Sequence, residues 1–374
     1  MKKNYILINL LFFIAFTLNA QEVYFPPNGE WQEKQASNYH LDFNEAVEFA
    51  KKNEYSESRD LRQAILKGFQ SEPYHKLLGP TKRRGGPAGV ILKNGYIVAK
   101  WGDIERVDMT FSVTKSFLST TALIAKQEDL IDSFDDKVEN YLWDGTFDGP
   151  HNSKITWEHL LQQNSDWSGE LWDSFDWADR PPQDQNIDQW RSRELHEPGT
   201  YFKYNDVRVN VLAYSLLNVF REPLPKILKK NIMDPIGAST TWRWYGYENS
   251  WTTIDGLKMQ SVSGGGHSGG GMFISTKDMA RFGLLFMKWK NEQLLSSELI
   301  HQAVQSSSAN PDYGYMWWLN KDASMKNLGQ DVFYAAGFGG NFIVVDQKNN
   351  LVIVIRWLEP SKFEEFLNLV YKNT

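Results

Sequence analysis

The 374-residue chain contains no cysteine, which excludes disulfides, thiolate metal sites and a cysteine nucleophile together. It also lacks a long basic block. Lys82-Arg83-Arg84 is its only basic run, and with Lys+Arg 40 against Asp+Glu 46 the net charge is -6. A mildly acidic chain of this kind is a poor partner for nucleic acid. The histidines His40, His75, His151, His159, His196, His267 and His301 show no ligand spacing such as His-Glu-x-x-His, so no metal site is expected. Repeats and low-complexity tracts are missing too. What is present suits a folded enzyme-sized chain: 41% hydrophobic and 23% charged residues, and a length fit for about two domains or one large one.

Lys2 and Lys3 precede an apolar run from Tyr5 to Leu18 that ends in Leu18-Asn19-Ala20. A basic start, a short greasy middle and a small residue at the end read as a secretory signal peptide over residues 1–20. The run is too short to span a bilayer comfortably. No later segment is apolar enough to do so, so the expected product is periplasmic or secreted, with no integral membrane association after cleavage. Residues 21–85 read as a polar N-terminal extension with helical periodicity at Asn44–Lys52 and Leu61–Phe69. From residue 86 to 374 the pattern changes. Strand-like Ala88–Leu92 and Tyr96–Trp101 flank Lys93-Asn94-Gly95, a hairpin signal. A helix is expected from Ser112 to Ala125, a further strand pair at Phe342–Val345 and Leu351–Trp357, and a closing helix at Phe363–Tyr371. Strands near both ends with a helical insertion between them imply an α+β fold. We expect a mostly antiparallel sheet flanked by helices, with an all-helical lobe over roughly 116–260.

Ser112-Val113-Thr114-Lys115 is the only Ser-x-x-Lys in the chain. On a helix, positions i and i+3 share a face, so the amine can reach the hydroxyl. A helix N-terminus there would favour a developing oxyanion and disfavour a protonated lysine. A serine hydroxyl needs such a partner to act as a nucleophile. Taken alone, the tetrapeptide is better read as a surface N-cap serine with a solvated lysine. Further motifs follow it in order: Pro198-Gly199 leading to Phe202-Lys203-Tyr204-Asn205-Asp206, then Gly264-Gly265-Gly266-His267-Ser268-Gly269-Gly270-Gly271 with Ser275-Thr276-Lys277-Asp278-Met279-Ala280-Arg281-Phe282-Gly283, then Tyr313 to Trp318, and last Ala335-Ala336-Gly337-Phe338-Gly339-Gly340.

In this ordered set, from about Pro87 to Leu358, the chain resembles the penicillin-recognising serine hydrolases. The match is to their class C β-lactamase-like branch, which includes esterases, D-amino-acid peptidases and 6-aminohexanoate-oligomer hydrolases. The resemblance implies a β-lactamase/transpeptidase-like fold and a set of roles. Ser112 would be acylated, Lys115 would take or shuttle its proton, and Tyr204 would serve the serine and then the leaving group. The oxyanion would be held by the backbone N–H groups of Ser112 and Phe338. No cofactor is implied, because the reaction needs only water and the protein's own groups.

Two positions depart from the family pattern. The second motif ends in Asp206 where the family has asparagine. An acid there either pairs with Lys115 and makes it a poorer base, or caps the next helix. The third motif, Ala335-Ala336-Gly337, lacks the family's cation, which favours an ester or amide whose acyl part carries no carboxylate. His267 reads as a pocket-lining donor or as a buried histidine satisfied by a carbonyl, and Gly337 as part of the same pocket wall. Among the 15 tryptophans, Trp167, Trp172, Trp177 and Trp190 alternate with Asp166, Asp173, Asp176, Asp179 and Asp188. That segment could line a substrate cleft, with Trp172 as a candidate, or simply pack a long loop. The expected activity is thus hydrolysis of a small or oligomeric ester or amide through Ser112. The alternatives are a β-lactamase or D-amino-acid peptidase, and a non-hydrolytic protein that binds glycan or peptidoglycan fragments.

Overall fold

The computed structural model describes residues 23–183, 186–287 and 294–372. The expected export signal at 1–20 lies outside them. Strands β1 (Ala88–Lys93) and β2 (Tyr96–Trp101) form the expected hairpin. Asn94 and Gly95 both take left-handed backbone, φ 51° and 83°, the geometry that two-residue hairpin turns require.

A six-stranded sheet has the order β2-β1-β12-β11-β10-β9, with β9 (Trp318–Leu319), β10 (Phe333–Gly337), β11 (Asn341–Asp346) and β12 (Leu351–Arg356). Every pair in it is antiparallel. Its central strands are apolar on both faces, and the period of two divides them cleanly. Val90, Leu92, Ile343, Val345, Val352 and Val354 join the main core. Ile91, Phe342, Val344, Ile353 and Ile355 join a second core with Ala46, Ala50, Phe363 and Phe366. The latter come from α1 (Asn44–Lys52) and α11 (Phe363–Tyr371), so the N-terminal extension and the last helix share one side of the sheet. A further helix of the extension, α2 (Leu61–Gly68), packs Leu61 and Ile65 against Phe111 and Trp357.

The insertion between the end strands holds α3 (Thr114–Gln127), the short α4 (Gly149–Asn152), α5 (Trp157–Leu161) and α6 (Ile187–Arg191), then α7 (Asp206–Phe220) and α8 (Leu224–Leu228). It is not all helical as expected. A small hairpin, β4 (Glu170–Leu171) and β5 (Ser174–Phe175), lies within it, and so do β6 (Arg243–Ile254) and most of β7 (Leu257–Val262). The sequence signal for the latter pair was the aromatic and β-branched run Trp242–Ile254 followed by Asp255-Gly256, whose φ values of 53° and 78° make the turn. These two strands join β3 (Asp108–Met109) and β8 (Gly271–Ile274) in a second sheet of order β3-β8-β6-β7. Beyond it come α9 (Thr276–Leu285) and α10 (Ser297–Ala303).

Arg356 of β12 fastens the two sheets to each other. Buried, it donates to Asn341 Oδ1 at 2.7 Å, Met109 O at 2.7 Å and Ile274 O at 3.0 Å.

Two helices carry Lys115 and Asp206 into the interior. Residues Thr114 to Ala125 of α3 are all buried, as is most of α7, so both run through the core instead of along the surface. They lie against one another and start at the same end of the molecule, with Lys115 and Asp206 in their first turns. No helix among the described residues is long and apolar enough to cross a membrane.

Candidate active site

The chain enters the site through a strained turn. Phe111 is buried with φ 51°, a backbone region that bulky side chains rarely occupy. The turn is held by Thr110 N, which donates to Met272 O at 3.0 Å, and by Met272 N, which donates to Thr114 Oγ1 at 2.9 Å. Ser112 therefore sits on a single 3₁₀ turn, Phe111–Val113, and the α-helix begins only at Thr114. The expected start at Ser112 is displaced because the reversal at Phe111 needs a tighter turn than an α-helix allows. The Ser112–Lys115 spacing survives: Lys115 Nζ lies 2.9 Å from Ser112 Oγ.

Gly337, at the end of β10, comes against this turn. A Cβ there would lie 2.1 Å from Thr110 O and 3.3 Å from Ser112 N, so only glycine lets the strand end approach the serine's backbone N–H. The Phe338 ring packs on Phe111 at 5.1 Å and on Phe69 at 5.5 Å. Its carbonyl accepts from Asn341 Nδ2 at 2.7 Å.

Tyr204 lies on the run into α7. Its neighbours are pinned by Gln163: Lys203 N donates to Gln163 O at 3.0 Å and Asn205 N donates to Gln163 Oε1 at 2.8 Å. The Tyr204 ring stacks on Trp318 with centroids 5.8 Å apart. Lys115 Nζ stands 5.0 Å from its centroid and the Arg180 guanidinium 5.3 Å, so two cations face one phenol ring.

Asp206 pairs and does not cap. Asn205 caps α7, its side chain accepting from Arg208 N at 3.0 Å. That leaves Asp206 to its ion pairs, and Lys115 Nζ meets its Oδ1 at 2.7 Å. Its other oxygen accepts from Arg180 at 2.8 Å and from His267 Nδ1 at 2.8 Å. Burial opposes charge on Asp206, but Arg180, Lys115 and His267 together hold its carboxyl well below the usual range. Burial likewise opposes charge on Lys115, and Asp206 outweighs it, so the amine is held cationic above its ordinary value. The helix N-terminus does not make it a free base.

His267 borders a cavity, as one reading of its loop expected, and its ring is held by carboxylates instead of a carbonyl. Its Nε2 faces Glu72 at 2.8 Å and Asp179 at 3.8 Å, while Nδ1 faces Asp206. With carboxylates at both nitrogens the ring is a cation. Burial resists this, but Asp206 and Glu72 push its pKa up to about 9. Asp179 pairs with Arg180 at 2.6 Å. Lys115, Arg180 and His267 thus stand against Glu72, Asp179 and Asp206 in one charge-matched network. Glu72, Asp179 and His267 bring ligand atoms within 4.8 Å of one another, but a metal ion would have to displace the proton on Nε2 and unpair Arg180. A cavity of about 40 Å³, lined by Glu72, Tyr74, Phe175, Asp179, Asp206 and His267, opens beside the network.

The glycine loop is explained by close approach. A Cβ on Gly266 would lie 2.4 Å from the Asp206 carboxyl, and one on Gly265 2.1 Å from Phe111 O. Sequence reading missed Glu72, Arg180 and Gln163, and named Asp179 only as one acid of the tryptophan-rich segment. Only Asp179 and Arg180 left a trace, an acidic loop that needed cations. Asp166 takes Arg193 and Arg208, and Asp176 takes Arg208, so these acids brace the loop from inside. Trp172 stands apart from the serine cluster in its ring contacts, edge-on to Tyr214 and Tyr247 at 6.3 and 6.1 Å.

A family model described as Beta-lactamase matches residues 76–358. The chain belongs to the Beta-lactamase family. It is an enzyme of that family of serine hydrolases, and its fold is the β-lactamase/transpeptidase-like one. Solved structures agree on the fold. A β-lactamase from Mycobacterium bovis shares 19% identity over 79% of this chain and 91% of its own, with TM-score 0.51. A family VIII carboxylesterase shares 16% over 84% and 96%, with TM-score 0.56. A D-stereospecific amidohydrolase from Streptomyces sp. shares 16% over 84% and 98%, with TM-score 0.52. No curated protein matches the chain.

Proposed function

We propose that this Beta-lactamase family member is an exported hydrolase that cleaves an ester or amide bond through an acyl-enzyme on Ser112. The observation that carries the reading is the placement of Ser112 Oγ 2.9 Å from Lys115 Nζ, beside the glycine end of β10. The Ser112 N–H and the strand end, at Phe338, would receive the oxyanion, as family members of this pattern do.

In this chain the proton traffic differs from a simple lysine base. Lys115 is already held protonated by Asp206, so it serves as a donor that steadies the forming alkoxide. Tyr204, facing Lys115 and Arg180, takes the serine proton and returns it to the leaving alcohol or amine. Water then cleaves the acyl-enzyme by the reverse relay, and the proton and electron counts close without a cofactor.

The acyl side of the substrate carries no carboxylate. Ala335 and Gly337 occupy the strand where a substrate-directed cation would stand, and Arg180 is engaged by Asp179 and Asp206. This weighs against the β-lactamase and D-peptidase readings. The intact Ser112, Lys115 and Tyr204 weigh against a pure glycan binder.

The test is intact-protein mass after brief exposure to a p-nitrophenyl ester. A mass gain of one acyl group in the wild type and none in Ser112→Ala is expected. An adduct that persists in the variant would remove Ser112 from the reading.

A further inference from the structure

The charge network does not end at the motifs that define the family. Its last member, Glu72, comes from the segment just after α2, in the N-terminal extension. That segment is clamped to the glycine loop at several points. The Phe69 ring stacks on His267 with centroids 4.4 Å apart. His75 Nε2 lies 3.0 Å from His267 O, and Leu78 N and Gly79 N each donate to Ser268 O at 2.9 Å. Gly79 and Gly269 are in backbone contact, since a Cβ on Gly269 would lie 2.5 Å from Gly79 O. Glu72 is therefore delivered to His267 by a docked segment, not by a free side chain on the surface.

From Glu72 an unbroken line of polar contacts reaches the serine. Glu72 Oε2 meets His267 Nε2 at 2.8 Å, His267 Nδ1 meets Asp206 Oδ2 at 2.8 Å, Asp206 Oδ1 meets Lys115 Nζ at 2.7 Å, and Lys115 Nζ meets Ser112 Oγ at 2.9 Å. We propose that Glu72 is a positioning residue for proton transfer at Ser112, acting through His267 and Asp206 on the charge and place of Lys115. The proposal rests on the reading of Ser112 as nucleophile.

Three donors share Asp206. Lys115, Arg180 and His267 divide its two oxygens among them. If His267 loses its proton, Asp206 has two cationic partners instead of three and draws harder on Lys115, away from Ser112 Oγ. Every charged or titratable neighbour of His267 enters this balance: Asp206 on α7, Asp179 on the loop before it, and Glu72 and His75 on the N-terminal segment. His75 lies beside the imidazole with ring centroids 5.1 Å apart, its own pKa lowered by burial first, and burial is what opposes the proton on His267. Glu72 is the neighbour that can be changed without touching Asp206 or the glycine loop.

Glu72→Gln keeps the size and the hydrogen-bonding reach and removes the charge. We expect its alkaline limb of kcat to move to lower pH by about one unit or more, with KM nearly unchanged, and Glu72→Asp to restore most of the wild-type profile. A second measurement follows the His267 ring proton by NMR in the Ser112→Ala protein with and without Glu72→Gln. The histidine should titrate well above its ordinary range and fall back when Glu72 is neutral. Loss of thermal stability with a superimposable pH profile would overturn the proposal. So would a His267 that titrates near its ordinary value in a chain with Glu72 intact, a result obtainable even if Glu72→Gln does not fold. A wild type that takes no acyl group on Ser112 overturns the nucleophile reading instead, and the histidine titration then decides the Glu72–His267 link by itself.

Discussion

Lys115 and Asp206 meet at 2.7 Å with both side chains buried, each in the first turn of its own interior helix. Buried ion pairs of this kind add little net stability when complete and cost much when broken, because the survivor is left charged in a low-dielectric interior. The pair therefore reads as a device for holding an amine beside a serine. Arg180 and His267 bring two further cationic partners to the second oxygen of Asp206, Oδ2.

Ser112→Ala should abolish turnover of any ester the wild type accepts. Tyr204→Phe keeps the ring that stacks on Trp318 and removes only the hydroxyl. It should lower kcat by about 10²–10⁴, the usual effect of a placed acid–base group. The double change should be no worse than Ser112→Ala alone, because groups acting as one unit are not additive. Steady-state kinetics on the three proteins check this. A Tyr204→Phe protein with near wild-type kcat would remove the tyrosine from the relay.

Asp206→Asn should act on both pH dependence and stability. Without the carboxylate, the largest influence raising the Lys115 pKa is gone and burial then lowers it, so the alkaline limb of the rate profile, where Lys115 loses its proton, should move to lower pH. Breaking the pair should cost about 3–5 kcal/mol in denaturant unfolding. In the wild type the sign runs the other way: Asp206 is depressed in the fold, so its contribution is full above its unfolded value of 3.8 and is lost as pH falls below it. A variant with unchanged midpoint and unchanged profile would contradict the pairing.

Gly337→Ala would set a methyl 2.1 Å from Thr110 O and push the end of β10 away from Ser112 N. The expected loss is in kcat, by about 10²–10³, as when one oxyanion donor is removed. KM should change little. Equal losses for Gly337→Ala and for an alanine at exposed Gly329, where a Cβ meets only Val332 Cγ2 at 3.9 Å, would argue against a positional role.

His267 gives the opposite pH window from Asp206. Its pKa is raised from 6.5 to about 9 in the folded chain, so the stability it contributes is full below 6.5 and disappears as pH rises through about 9. That contribution is on the order of 3 kcal/mol at most. Thermal melts across this window should show a falling midpoint in the wild type and a flatter course in His267→Gln. Parallel curves would mean that the imidazole is not charged in the fold.

Much of the site was legible without coordinates. A serine with a lysine one turn on, a tyrosine after Pro198-Gly199 and a glycine loop are local features, and local spacing is what a chain displays directly. The strand pairs near both ends of the chain and the helices at Asn44–Lys52 and Phe363–Tyr371 were equally plain from hydrophobic period and turn residues. The β6–β7 hairpin was overlooked because its alternation mixes aromatic and polar residues, though Asp255-Gly256 marked the turn.

What tertiary structure alone decided is the charge state of the machinery. Sequence left Asp206 between a cap and an ion pair, and only the side-by-side packing of α3 and α7 brings its carboxylate to Lys115 while Asn205 takes the cap. Glu72, Arg180 and His267 lie far apart along the chain and share no spacing. They meet because the N-terminal segment docks on the glycine loop and the acidic loop folds back over α7. The chain's order of residues determined which groups could do chemistry. Burial and the company each group keeps determined which of them carry a proton when the substrate arrives.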